Sequence, residues 1–201
     1  MLKKVYLLLV CFTFTGISFA QNPDSLRLAF KSAKHDTTKV QILVELTQIL
    51  AGTYPDTVVP LSNQIVSIVE KNPAPANSKI KSNLKIYEAI AYGNIGYSYS
   101  KKGNIPVTLD YYHKSLKIQE DINDEQGVAS TLSNIGAIFS KQGNIPKALE
   151  YYLRALKIQE KIHLKSPDNF YANKDLSTTL NNLASIYKQQ GEPQVALSYY
   201  A

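Results

Sequence analysis

The residues that most often perform acid–base or metal chemistry are sparse in this chain and share no motif spacing. The three histidines, His35, His113 and His163, fall in a turn, in the middle of a helical pattern and at a helix end. A catalytic site needs titratable groups that converge. The sequence has no His-Glu-x-x-His, no pair of cysteines and no glycine-rich phosphate loop. We therefore predict no catalytic residue, no bound metal and no cofactor, and we expect that the chain is not an enzyme.

Asparagine and lysine recur in a pattern that suits binding instead. Asn94, Tyr97 and Lys101 are spaced i, i+3 and i+7, so they share one face of a helix. Carboxamide groups both donate and accept hydrogen bonds, and lysines attract carboxylates. A ladder of such groups can bind the backbone of an extended peptide whatever its side chains. The same face recurs twice along the chain, first as Asn134, Ala137 and Lys141, then as Asn182, Ser185 and Gln189, with Lys188 adjacent.

These candidate residues lie within one stretch that occurs twice. Residues 93–122 and 133–162 agree at 18 of 30 positions at an offset of 40, and a looser third copy begins at Asn181. Small residues let two helices approach closely while large ones fill the gaps beside them. A helix pair that buries only part of its apolar face must stack on a neighbour, which produces a solenoid. In the first copy the packing residues are Ile95, Gly96 and Tyr99, then Thr108, Tyr112 and Ser115.

The rest of the chain also reads as helical. We expect Asp24 or Ser25 to cap the first helix, and Asp36 or Thr37 to cap the second. No sustained alternation of apolar and polar residues predicts a strand. Helices are predicted over 23–34, 38–53, 57–71 and 77–102, with a loop at 72–75 and helix–turn–helix units thereafter. Three glycines are predicted to end helices in the left-handed conformation: Gly103, Gly143 and Gly191.

Residues 1–20 have the layout of a secretory signal peptide. Two lysines precede an apolar run that is shorter than the roughly 20 residues a membrane span needs. Ser18 and Ala20 fit a cleavage site that ends at Ala20. The single cysteine, Cys11, lies in this leader, so the exported chain would form no disulfide. We expect export to the periplasm or the extracellular space.

Charge argues against a nucleic-acid partner. The net charge is +6, from 22 basic and 16 acidic residues, and the leader accounts for two of the lysines. The exported chain would therefore carry 20 basic and 16 acidic residues, a net charge of +4. Nucleic-acid binding needs clustered basic residues, and the sequence contains no run of five.

The two-helix pattern resembles the tetratricopeptide repeat. Tyr92 or Leu132 stands at the family's tryptophan position, followed by Ile-Gly and then by an aromatic residue. The resemblance covers residues 89–200. The period is 40 and then 48 residues, against a usual period of about 34, as in the long-repeat variants that resemble kinesin light chain. Residues 38–71 fit as a degenerate repeat in which Leu46 replaces the expected glycine.

The resemblance implies an all-α fold, a right-handed solenoid of stacked antiparallel helix pairs. In this family the first helix of each pair lines a concave groove that binds a protein or an extended peptide. The family's carboxylate clamp needs lysine and asparagine where this chain has Gly93 and Tyr97, so that activity is not carried over. The alternative is that the asparagines support packing within each repeat. The implied groove residues are Asn94, Tyr97, Lys101, Asn134, Lys141, Asn182, Ser185 and Lys188.

The layout also resembles the exported front half of bacterial signalling proteins with such repeats. We predict a signal peptide at 1–20, a degenerate N-terminal cap at 21–75 and a repeat array at 76–201. The repeats would fall at about 89–128, 129–176 and 177–201, the last of them incomplete. The alternative function is the sensory region of a membrane-bound histidine kinase, cyclase or transcription regulator, truncated before its effector and anchored through a further segment. Because the third copy stops inside a helix, we expect the sequence to be part of a longer protein.

Overall fold

The computed structural model describes residues 22–72 and 79–200, and in these ranges the chain forms helices and no strand. The predicted leader and most of the predicted loop at 72–75 lie outside the described residues. Segments with apolar residues at a helical period fold as helices that bury one face. The α-helices are α1 (Pro23–Ser32), α2 (Asp36–Leu50), α3 (Val58–Lys71), α4 (Lys79–Lys101), α5 (Ile105–Asp121), α6 (Glu125–Lys141), α7 (Ile145–Lys165), α8 (Phe170–Gln189) and α9 (Pro193–Ser198).

The helices pack as antiparallel pairs, α2 with α3, α4 with α5, α6 with α7 and α8 with α9. The pairs stack into a right-handed solenoid, and α1 packs against α2 at one end. First helices of neighbouring pairs meet where α2 contacts α4 and α6 contacts α8. This arrangement confirms the predicted all-α solenoid. The division into a cap at 21–75 and an array at 76–201, with its repeat boundaries, stays a prediction.

No helix in the described ranges combines the length and apolar character that crossing a membrane requires.

The predicted caps are wrong: Asp24 or Ser25 for α1, and Asp36 or Thr37 for α2. Asn22 caps α1 and accepts a hydrogen bond from the backbone of Asp24 at 3.0 Å, because the helix already begins at Pro23. In α2 the cap position belongs to His35, whose side chain makes no capping bond. Asp36 lies inside the first turn, where its carboxylate accepts a hydrogen bond from Asn72 at 3.1 Å.

The turns inside three pairs are left-handed glycine turns, as predicted. Gly103, Gly143 and Gly191 have φ angles of 74°, 73° and 80°, a conformation that a Cβ would strain. An asparagine follows the glycine in two of these turns and caps the next helix. Asn104 accepts from the backbone of Val107 at 3.4 Å, and Asn144 accepts from that of Lys147 at 3.3 Å. Each pair is therefore closed by a short turn of fixed geometry.

A glycine packed against a tyrosine ring sets the distance between the two helices of a pair. A Cβ placed on Gly96 would lie 2.8 Å from the Tyr112 ring and 3.3 Å from the backbone oxygen of Thr108. A Cβ on Gly136 would lie 3.0 Å from the Tyr152 ring. Both rings are only 2% exposed. The ring thus occupies the space that any larger residue would need.

A second aromatic contact lies beside this one in each of three pairs. The rings of Tyr99 and Tyr111 stack at a centroid distance of 6.0 Å, and those of Phe139 and Tyr151 stack at 5.5 Å. In the last described pair, Tyr187 and Tyr199 stack at 5.6 Å. Offset stacking of this kind adds about 0.5–1.5 kcal/mol to the burial of each pair of rings. The many tyrosines of the sequence are therefore largely packing residues.

We predict that Gly96→Ala destabilises the protein while Gly93→Ala, in the same helix, does not. Alanine gains about 1 kcal/mol of helix propensity at either site. At Gly96 this gain is outweighed by overpacking against the buried Tyr112 ring, which costs about 1–3 kcal/mol. At Gly93 the nearest atom to a new Cβ is Ser115 Oγ at 3.7 Å, an ordinary contact. Urea unfolding followed by circular dichroism should show a lower midpoint only for Gly96→Ala. Equal midpoints for the two variants would contradict the steric argument.

The buried tyrosines predict a loss of stability in alkali. Burial, with a smaller effect from Tyr97, raises the pKa of Tyr112 to about 12, and burial raises the pKa of Tyr152 to about 12. A tyrosine in the unfolded chain ionises near pH 10. The unfolded state thus loses protons first, and the stability that is complete below about pH 10 falls as the pH rises towards 12.

We expect Tyr152→Phe, which cannot ionise, to reduce the fall in melting temperature between about pH 9 and pH 12. The matched control is Tyr171→Phe, whose tyrosine is 76% exposed and so should keep the unmodified pH profile. Melting curves recorded by circular dichroism across this range provide the comparison. An identical fall in both variants would show that Tyr152 is not responsible.

Candidate functional site

Three asparagines occupy the same place in successive first helices. Asn94 lies in α4, Asn134 in α6 and Asn182 in α8, each partly or fully exposed. The residue after each asparagine is buried, which fixes the direction in which the carboxamide points. In the described part of the chain no group forms a hydrogen bond with any of the three carboxamides. Their donors and acceptors are available to a ligand, and no bond supports the alternative of a role in packing.

Three lysines lie at the C-terminal ends of the same helices. Lys101 and Lys141 are the last residues of α4 and α6, and Lys188 lies one residue before the end of α8. All three are exposed, and among the described residues none of them forms an ion pair. A lysine here offsets the negative end of the helix dipole. Because no carboxylate of the described chain pairs with them, the three ammonium groups can also attract acidic groups of a partner.

The residue between asparagine and lysine differs from helix to helix. Tyr97 in α4 is 51% exposed, and the Nζ of Lys101 lies 5.1 Å from the centroid of its ring. The corresponding residue of α6 is Ala137, which offers no polar group. In α8 the hydroxyl of Ser185 accepts a hydrogen bond from Gln189 at 3.4 Å. The predicted face is therefore polar in α4 and α8, and only in α4 does this central position carry a large aromatic side chain.

The predicted residues of α4 converge on a cleft of about 590 Å³ between α2 and α4. Asn94, Tyr97 and Lys101 form one wall. At one side Lys102 Nζ lies 3.1 Å from a carboxylate oxygen of Asp56, so this ion pair joins the end of α4 to the turn before α3. The other lining residues are Thr47, Gln48, Ala51, Pro55, Val58 and Ser98.

Sequence reasoning missed the contribution of α2 to this cleft. Aligning Leu46 with Gly96, an offset of 50, places Thr47 opposite Tyr97 and Ala51 at the position of Lys101. Both are small residues, and both line the cleft. The degenerate repeat carries the signal in its small residues, but it has no asparagine at the position of Asn94, so the asparagine pattern does not point to it.

Hydrogen bonds join α6 to α8 on the side where sequence reasoning expected only a groove. One carboxylate oxygen of Asp175 accepts from Gln126 and from Ser130, each at 2.7 Å. The hydroxyls of Ser133 and Thr179 lie 2.8 Å apart. These bonds occupy the N-terminal and middle parts of the shared face. The asparagines and lysines described above lie nearer the C-terminal ends of both helices and take no part in these bonds.

The histidines do not meet. His35, just before α2, and His113, within α5, are exposed. Nδ1 of His163 lies 2.7 Å from the side-chain oxygen of Asn173, where the end of α7 faces the start of α8. The described residues include no cluster of three or more His, Cys, Asp or Glu side chains that could hold a metal ion.

Comparison with known proteins identifies the repeat. Two family models, each described as a tetratricopeptide repeat, match residues 87–161 and 176–201. The fold is similar to the crystal structure of BtubC (BKLC) from P. vanneervenii, with a TM-score of 0.65, 17% identity, and coverage of 88% of this chain and 67% of that one. It is also similar to the crystal structure of the apo form of RapI, with a TM-score of 0.65, 18% identity, and coverage of 89% of this chain and 46% of that one. No curated protein matches the sequence.

Proposed function

The chain belongs to the tetratricopeptide repeat family, and we propose that it is an exported scaffold that binds a protein partner through an extended peptide segment. Repeats of this family generally bind proteins or peptides. The observation that carries the proposal is the series Asn94, Asn134 and Asn182, whose carboxamides have no hydrogen-bond partner in the described chain. A primary amide can both donate to a peptide carbonyl and accept from a peptide N–H.

The spacing of the first helices suits an extended peptide. Directly packed helices, such as α6 and α8, lie about 8–10 Å apart, and an extended chain advances about 3.3 Å per residue. Asn134 and Asn182 would therefore face the peptide about three residues apart. The unpaired ammonium groups of Lys101, Lys141 and Lys188 favour a peptide with acidic residues at a similar spacing. This role needs no catalytic group, and we propose that the chain itself is not an enzyme.

The proposal places the scaffold outside the cytoplasm. Its basis is the sequence of the leader at 1–20, with cleavage after Ala20 and release to the periplasm or the extracellular space. The second candidate is an extracytoplasmic sensory region of a longer membrane-bound signalling protein. An export leader followed by peptide-binding repeats suits this candidate as well, because a sensor of this kind needs both. The two candidates share the same groove, and only the second requires a membrane span and an effector domain.

We predict that replacing Asn94, Asn134 and Asn182 together by alanine strongly weakens peptide binding without changing the helical content. Peptides selected from a displayed random library by the unmodified protein serve as ligands, and their Kd is measured by fluorescence anisotropy. Each lost hydrogen bond costs about 0.5–1.5 kcal/mol, so the triple variant should bind at least about tenfold more weakly.

The matched control for this experiment replaces three other exposed helical carboxamide residues, Asn63, Gln64 and Asn181, by alanine. This control should bind the selected peptides with unchanged Kd. Retained binding by the ladder variant, or equal loss in both triple variants, would overturn the groove. Circular dichroism of both variants confirms that each is folded before its Kd is compared.

We predict that the chain produced with its leader in a Gram-negative host is recovered from the periplasm with Gln21 as its first residue. Intact-mass spectrometry measures the cleavage. A large residue in the position before the cut should block processing, so Ala20→Phe should retain the leader while Ala33→Phe, a substitution outside it, should not. Unprocessed, cytoplasmic protein in the unmodified sample would contradict export.

A further inference from the structure

The cleft between α2 and α4 has the size of a small-molecule site. Its volume of about 590 Å³ lies within the range of about 300–1,000 Å³ that is usual for ligand pockets. The space exists because Thr47 on α2 and Ala51, the residue that follows α2, are small where they line the cleft opposite Tyr97 on α4. Pro55 and Val58 add apolar surface from the turn and from the start of α3. The body of a ligand here would thus be apolar.

Several polar groups in the lining are already engaged. The hydroxyl of Thr47 donates to the backbone oxygen of Leu43 at 2.7 Å, and Lys102 pairs with Asp56 at 3.1 Å. These contacts leave those groups with less to offer a ligand. The groups available to a ligand are therefore the other polar side chains of the lining.

Five polar side chains in the lining form no hydrogen bond or ion pair with the described chain: Gln48, Asn94, Tyr97, Ser98 and Lys101. The carboxamides of Gln48 and Asn94 have no hydrogen-bond partner in the described part of the chain. The ammonium group of Lys101 faces the Tyr97 ring and pairs with no described carboxylate. One cation and two primary amides around an apolar space match the needs of a carboxylate, which accepts charge-assisted hydrogen bonds.

The charge of the lining sets the charge of the ligand. The lining holds two lysines and one aspartate, and the Lys102–Asp56 pair cancels internally, so a net charge of +1 remains at Lys101. We propose that this cleft binds a small organic monoanion, an aromatic or aliphatic body that carries one carboxylate. The ligand is a free small molecule, distinct from the peptide of the groove.

Such a ligand would act on the groove as well. Asn94, Tyr97 and Lys101 belong to both the cleft and the first step of the ladder. An occupied cleft would engage the Asn94 carboxamide and the Lys101 ammonium group, and would therefore weaken peptide binding at that end of the array. A scaffold built in this way would respond to a metabolite.

The test uses phenylbutyrate and its neutral isostere phenylbutyramide as probes, titrated into the purified protein without any peptide and followed by calorimetry. Both should bind saturably to one site. Lys101→Gln should weaken the binding of phenylbutyrate by about three- to tenfold and leave the binding of phenylbutyramide unchanged, because only the acid carries a negative charge for the lysine to attract. Lys141→Gln, at the equivalent lysine one repeat away, should change the binding of neither probe.

Ala51→Phe, at an exposed position of the wall, should fill the cleft and abolish binding of both probes. Heteronuclear NMR provides a readout that does not depend on this variant, since phenylbutyrate should shift the side-chain amide signals of Asn94 and Gln48 but not that of Asn134. No saturable binding by the unmodified protein would overturn the proposal. Binding that survives Ala51→Phe, or that moves Asn134 equally, would do the same. None of these outcomes bears on peptide capture, because no peptide is present.

Discussion

The close contact between a glycine on one helix and a tyrosine ring on the next determines the rest of the structure. At Gly96 and Gly136 the ring lies where a side chain would otherwise stand, so the two helices of a pair meet along most of their length. Interiors packed at this density transmit the position of one helix to the next. Because the same contact recurs at an offset of 40, the orientation of each first helix recurs as well.

That repetition is what makes a ladder possible. Once Ile95 and Ile135 are buried in equivalent cores, the asparagine before each of them must point away from the core in an equivalent direction. The regular row of carboxamides thus follows from the packing of the helices alone. In the proposed groove this regularity would also limit what the row recognises, since identical groups in a row suit the repeating backbone of a peptide better than any one side chain.

The sequence was sufficient for the helices and the repeat, because their causes are local. Apolar periodicity, the turn glycines at Gly103, Gly143 and Gly191, and the small-to-large spacing all act over a few residues. The α6–α8 hydrogen bonds were not predictable in this way. Asp175 bonds to Gln126 and Ser130 only because the longer connection before α8 sets the register between two helices that lie far apart in sequence.

Hydrogen-bond partners also differ between Gln119 and Gln159, two buried glutamines at equivalent positions of the repeat. At the junction between α5 and α6, Gln119 accepts a hydrogen bond from Thr131 at 2.8 Å. Its counterpart Gln159 is buried without a partner in the described chain, and the equivalent threonine, Thr179, bonds to Ser133. Sequence similarity therefore predicts the residues of a repeat junction better than it predicts their bonds.

Departure from the repeat is also where the proposed site would gain selectivity. In α2 the ladder position is taken by Val44, which is buried, so the row of carboxamides stops there. The neighbouring positions, Thr47 and Ala51, are small where α4 carries Tyr97 and Lys101, and the missing volume becomes the cleft. An array of identical repeats would have the same surface at every junction, without a pocket confined to one of them. The degenerate pair supplies that asymmetry, and in the proposed groove it would let one end distinguish ligands that the rest would treat alike.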